Sequence, residues 1–171
     1  MAVIADTSPL NYLILIGTDD ALAGLYQKVL IPEQVLQELQ HPESPKIVAE
    51  WATRLPAWIE FVPSNTFIIE PELADLDPGE RSAIALAKTH LPGALLVMDD
   101  WKGRREAERR GIPTIGTLGV LRDAAAQGLV NLPAALARLR QTSFRAPDDL
   151  MTALLEAHNP PPTTYNPRPD S

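Results

Sequence analysis

The 171-residue chain contains no cysteine, which excludes disulfides, thiolate zinc sites and cysteine nucleophiles and is compatible with a reducing compartment. With 22 acidic residues against 15 lysines and arginines, its net charge of -7 argues against wide nonspecific wrapping of nucleic acid, so any polyanion must meet a local basic patch. The first residues lack a basic segment leading into an apolar run, and no apolar stretch approaches the ~20 residues of a membrane span, so the expectation is a cytoplasmic protein with no membrane partner.

In chain order, Ala2 to Ala5 reads as a short buried strand that ends in Asp6-Thr7-Ser8-Pro9, with Ser8 as the expected N-cap of a helix running to about Ile16. Gly17 and Thr18 break that helix, and Asp19 to Gln27 reads as a second helical piece. Val29 to Ile31 is a second strand. Pro32 opens a helix from Glu33 to about Gln40, whose apolar side is Val35, Leu36 and Leu39. Ser44-Pro45 repeats the cap-plus-proline signal, predicting a helix over 46–55 with Ile47, Val48 and Trp51 on one side. Ile59 to Val62 is a third strand, and 63–76 is a weakly patterned connection in which Phe67 to Ile69 suits a short extended piece.

Asp77-Pro78-Gly79-Glu80 then starts the most legible helix, running to about Thr89. The apolar run Ala94 to Met98 reads as a strand buried on both faces, and it ends abruptly in Asp99 and Asp100. A charged helix over 102–110 stops at Gly111, Ile112 to Ile115 is a fifth strand, and Thr117 to Gln127 is another helix. Two more helices are expected at 133–141 and 148–157. The proline-rich polar segment from Asn159 is expected to be disordered. Strands alternating with helices imply a central parallel sheet in a three-layer α/β/α sandwich.

Parallel strands ending in acids deliver carboxylates to the carboxyl edge of a sheet, where open α/β folds place their ligands. Asp6 and the Asp99-Asp100 pair arrive there from two strands. Asp6 can also simply start a turn or cap the next helix, and the pair can be a solvated loop, although adjacent acids repel and a cation relieves that repulsion. Glu80 fits N3 of a capping box, yet on a helical wheel it shares the apolar stripe of Ile84, Ala87 and Leu91, where a carboxylate needs a compensating partner. Glu38 sits at the border of its helix's apolar face, a position that taken alone is more often that of a solvated residue. Acids from four separate segments, without cysteine or a histidine cluster, suit hard divalent cations such as Mg²⁺ or Mn²⁺ and hence phosphodiester hydrolysis. Lys102, Arg104 and Arg105 lie just beyond the acidic pair and are candidates for phosphate contacts. Arg109 and Arg110 suit intrahelical ion pairs equally well, and Trp101 suits either stacking on a base or burial.

Taken together, Asp6-Thr-Ser-Pro-Leu10, Leu76-Asp-Pro-Gly-Glu80 and Asp99-Asp-Trp-Lys-Gly-Arg104 resemble the PIN-domain ribonucleases, over about residues 1–130. The resemblance implies a five-stranded parallel sheet of order 3-2-1-4-5 with the first and fourth strands adjacent at its centre. It also implies a nuclease domain over 1–130; the helical extension over 131–158 and the tail over 159–171 go beyond the compact pattern of the toxin relatives. By the same resemblance Asp6, Glu38, Glu80, Asp99 and Asp100 are the catalytic acids. Of these, Asp6, Glu80 and one or both of Asp99 and Asp100 hold Mg²⁺ or Mn²⁺, with Ser8, Lys102, Arg104 and Arg105 toward the substrate. RNA is the implied substrate, a small antitoxin protein the implied partner, and a homodimer the implied assembly. Two rival readings stand beside this one. The first is a catalytically inactive module of the same fold that binds RNA or protein. The second, ranked lower, is a phosphoacceptor receiver domain, which wants its acidic pair after the first strand rather than the fourth.

Overall fold

The computed structural model describes residues 1–158, so the segment expected to be disordered from Asn159 lies outside the described residues. Strand β1 (Ala2–Ala5) is followed by α1 (Thr7–Leu15), α2 (Ala21–Tyr26), β2 (Val29–Pro32), α3 (Glu33–Leu39), α4 (Lys46–Thr53) and β3 (Ile59–Val62). Two single 3₁₀ turns, at Ser64–Thr66 and Pro71–Leu73, lead to α5 (Pro78–Thr89) and β4 (Ala94–Val97). The chain continues as α6 (Trp101–Arg109), β5 (Thr114–Ile115), α7 (Thr117–Ala126), α8 (Leu132–Arg140) and α9 (Asp148–His158).

The five strands form one parallel sheet of order β3-β2-β1-β4-β5. Strands β1, β2 and β4 are largely buried on both faces because their residues alternate between two helical layers, whereas edge strand β3 exposes Glu60 and Phe61. Val3 and Ala5, Val29 and Ile31, and Val97 face one core with Leu10, Leu13, Val35, Leu39, Val48, Val120 and Leu121. Ile4, Leu30, Ala94 and Leu96 face the other, with Leu73, Ile84, Met98, Ala107 and Ile112. Helices α8 and α9 contribute Leu132, Leu136, Leu139 and Met151 to the first core, so the C-terminal helices pack on the same sheet as β1.

Several local expectations are corrected. Helix α1 begins at Thr7 with Asp6 as its N-cap, two residues before Ser8, because the end of β1 feeds the helix directly. Pro9 is tolerated because the amides of a helix's first turn have no intrahelical acceptor to lose. Helix α4 buries Val48 and Ala52, whereas Ile47 is 54% exposed. In the connection before α5, Phe67 is buried and extended, while Ile68 and Ile69 are exposed. Strand β5 is only two residues long.

The sheet order reverses between β1 and β4, the first strand lying against the fourth in register from Ala2↔Ala94 to Ala5↔Val97. Asp6 continues that pairing, its N–H donating to the Val97 carbonyl at 2.9 Å. The residues that follow both central strands therefore leave the sheet at one carboxyl edge, at the switch point where such folds open a crevice.

Candidate active site

Asp6 sits at the bottom of this crevice and is 4% exposed. Its Oδ1 is buried and has no hydrogen-bond partner among the described residues. It shares a pocket of about 270 Å³ with Thr7, Ser8, Glu38, Asp77, Pro78 and Glu80. Burial pushes the Asp6 carboxyl up to about 8, with the charges of Glu80, Glu38 and Asp99 acting in the same direction and the Thr7 backbone opposing them.

Glu38 reaches this pocket from α3. The Gly79 N–H, in the first turn of α5, donates to Glu38 Oε1 at 3.0 Å, and the Thr7 hydroxyl donates to Oε2. The residue is half-buried rather than solvated. Its carboxylate occupies a helix N-terminus, where orphan amides and the helix dipole favour negative charge. Space for it exists because residue 79 has no side chain: an added Cβ would lie 2.8 Å from Glu38 Cδ and overlap its oxygens.

Glu80 makes the capping box, the Asp77 N–H donating to its Oε2 at 3.2 Å. The capping and site readings of this residue therefore coexist. Burial raises Glu80 to about 7, with Asp100, Asp77 and Glu38 adding to the rise and the Asp77 backbone bond opposing it. Glu80 is half-buried at the sheet's edge, a shallower position than the helical wheel suggests.

Asp99 and Asp100 divide the β4 side between them. The Thr117 N–H and hydroxyl, at the start of α7, donate to the two oxygens of Asp99, each at 2.7 Å. Burial raises the Asp99 carboxyl, opposed by these bonds and by the Arg104 guanidinium. Asp100 is exposed and is the N-cap of α6, accepting the Gly103 N–H at 2.8 Å. Asp99 thus acts on Asp6, and Asp100 acts on Glu80.

Of the candidate phosphate contacts, Ser8 is exposed at the rim of the Asp6 pocket, and Arg104 is half-buried, donating from Nε to Thr114 Oγ1 at 3.2 Å. Lys102 and Arg105 are exposed on α6. Trp101 is 67% exposed, with the Arg105 guanidinium 4.6 Å from its ring centre, so the burial alternative does not hold. Arg109 and Arg110 are committed to ion pairs, Arg109 with Glu106 and Arg110 with Glu106 and Glu70.

Three residues escape a reading that looks only for acids. Thr7, Gly79 and Thr117 hold Glu38 and Asp99 in place. Thr117 had a detectable signal, since Ile115-Gly-Thr117 is a strand end leading into a helix in the same way as Ala5-Asp6-Thr7.

Over nearly its whole length the chain also has a family likeness: a family model described as a PIN domain matches residues 2–160. The chain belongs to the PIN-domain family. A comparison with curated proteins gives no match. The sheet order of this PIN domain is the one its motifs imply, and the match places the chain in a family of nuclease-type hydrolases that generally use divalent metals. Among the described residues of the PIN domain, no helix is long and apolar enough to cross a membrane.

Among the described residues, no group of three or more His, Cys, Asp or Glu is closed enough to hold a metal ion. Yet the partnerless buried oxygen of Asp6, set among carboxylates whose charges all disfavour its ionisation, is neutralised only by a proton or a cation. Oxygen donors of this kind fit Mg²⁺ or Mn²⁺.

Proposed function

We propose that this PIN domain is a divalent-metal-dependent endoribonuclease. The observation that carries the reading is Asp6, a buried carboxylate with an unpartnered oxygen at the switch point, flanked by Glu38, Glu80 and Asp99. Asp6, Glu80, Asp99 and Asp100 would hold Mg²⁺ or Mn²⁺, which when bound polarises water and offsets charge on the phosphate.

The chain's own residues do the rest. Glu38, clamped by Thr7 and Gly79, ties α1, α3 and α5 together around Asp6 and keeps the acids at their spacing. Thr117 holds Asp99 by two bonds, so its carboxylate cannot rotate away. Ser8, Lys102, Arg104 and Arg105 meet the RNA phosphates on either side of the crevice. In the reaction a water oxygen attacks phosphorus in line and gives up a proton to a neighbouring carboxylate or to solvent, the bond to the leaving sugar oxygen breaks, and that oxygen takes up a proton.

The test is RNA cleavage with added Mg²⁺ or Mn²⁺. Asp6→Asn and Glu80→Gln should each abolish it, and undiminished cleavage by both variants would defeat the proposal. We further read the protein as the toxin half of a toxin–antitoxin pair, acting as a homodimer and restrained by a small antitoxin. That reading is supported by the likeness of its motifs to toxin relatives. Growth arrest on expression, relieved by Asp6→Asn, is the expected result; unimpaired growth with active enzyme present would exclude it.

One observation favours a second reading, a catalytically inactive module that binds RNA or protein. Glu38, Glu80, Asp99 and Asp100 all already accept hydrogen bonds from the chain. This reading expects binding without metal-dependent turnover.

A further inference from the structure

Beside the Asp6 pocket lies a larger cavity of about 570 Å³, within the size range of small-ligand sites. Asp99 lies in its wall, so it opens directly beside the acids. Apart from Asp99, its charged lining is cationic: Arg104 comes from α6, Arg122 from α7 and Arg145 from the segment joining α8 to α9. Arg122 is paired with its neighbour Asp123 at 2.9 Å. Arg145 is exposed and forms no ion pair among the described residues. In a chain of net charge -7, three guanidinium groups lining one cavity mark a local landing place for an anion.

The remaining walls are apolar and aromatic. Phe144 is fixed edge-on against Tyr12, with ring centres 5.1 Å apart, and Leu150 and Leu154 of α9 close the far side. Trp101 stands at the cavity with its ring largely in solvent and Arg105 against it. A phosphate alone would not use such walls, and an apolar ligand would not use the arginines. A nucleotide uses both, because it joins a flat apolar base to an anionic linkage.

We propose that this cavity is the subsite for one unpaired nucleotide flanking the cleaved bond, with Trp101 stacking on its base and Arg145 and Arg122 holding its phosphate. The proposal rests on the nuclease reading for its substrate and adds the side chains that hold one of its nucleotides, in a cavity walled partly by the C-terminal helical region. A base in a duplex is stacked and paired and cannot enter a cavity of this kind without being extruded. The wall formed by residues 144–154 makes the C-terminal helical region a specificity-determining part of the molecule.

The experiment uses the full chain and a fluorescein-labelled eight-nucleotide RNA, single-stranded or annealed to its complement. Binding is measured by anisotropy in EDTA, so that no cleavage occurs. The wild-type protein should bind the single strand at least tenfold more tightly than the duplex. Trp101→Ala and Arg145→Ala should each weaken single-strand binding about tenfold, as expected for loss of one stacked base or one phosphate contact. Both side chains are exposed, and unchanged melting temperatures would show that the fold is retained. Loss of binding in these variants supports the subsite even if no metal restores cleavage, in which case the nuclease reading fails by itself. Metal-dependent cleavage with unaltered single-strand binding in both variants overturns the subsite and leaves the nuclease standing. Equal affinity for duplex and single strand also overturns it, as does an absence of RNA binding by the wild type, which would leave the cavity to a protein segment.

Discussion

Glu38 accepts the Gly79 amide across 41 residues of chain, and it does so through space that only a glycine leaves open. An alanine at a helix position is ordinarily better than glycine by ~1 kcal/mol. Here the sign reverses, because the methyl group displaces a carboxylate that is bonded to two donors. Gly79→Ala should lower stability by about 1–3 kcal/mol in urea unfolding. It should also cut RNA cleavage by about tenfold or more, through misplacement of the acids. A variant as stable as the wild type would mean that Glu38 relaxes without cost.

The Asp6 carboxyl has an ordinary value of 3.8 and is pushed up to about 8 in the folded chain. Between those values the folded state holds a proton that the unfolded state has released. Stability from this group is therefore fully present below about pH 4 and is lost as pH rises to 8. Glu80, raised from 4.5 to about 7, acts in the same direction over a narrower window. In metal-free buffer the melting temperature should fall between pH 5 and 8. Asp6→Asn should flatten that slope and melt higher than the wild type at pH 8. A wild-type curve that rises through this range would contradict the burial of Asp6.

A divalent cation that occupies the crevice binds the folded chain alone and must stabilise it. At a concentration of 100 times the dissociation constant the gain is about 2.7 kcal/mol. Mn²⁺ titrated at pH 7 should raise the melting temperature, release protons from Asp6 and Glu80 as it binds, and do neither in Asp6→Asn. Calorimetry in two buffers of different ionisation enthalpy reads the proton release. Identical melting with and without metal would count against the oxygen-donor site.

Asp99 and Asp100 should separate cleanly. Asp100→Asn keeps an N-cap for α6, since Asn caps as well as Asp, and should leave stability unchanged. Asp99→Asn removes the carboxylate that couples to Asp6, and its cleavage rate should fall much further than that of Asp100→Asn. Thr117→Val, which deletes the hydroxyl donor to Asp99, should cost about 1–2 kcal/mol and reduce cleavage, with Thr117→Ser restoring both. Equal activity losses at 99 and 100 would show that the Thr117 clamp does not select between them.

The sequence by itself determined the features that live in short windows. The apolar runs of β1 and β4, the Asp77 to Glu80 capping box and the stop at Gly111 are statements about a few adjacent residues, and the backbone obeys them locally. The acids at the strand ends were legible for the same reason. The cap falls at Asp6 rather than Ser8, and Ile47 faces outward rather than inward, because neighbouring positions offer nearly equivalent choices that packing decides. Only the tertiary structure could show that Glu38 belongs to Gly79 and Thr7, that Asp99 is held by Thr117, and that Trp101 stands in solvent beside a cavity closed by α9. Those relationships join segments far apart along the chain. They exist because the sheet order reverses between β1 and β4, which brings those segments to one edge.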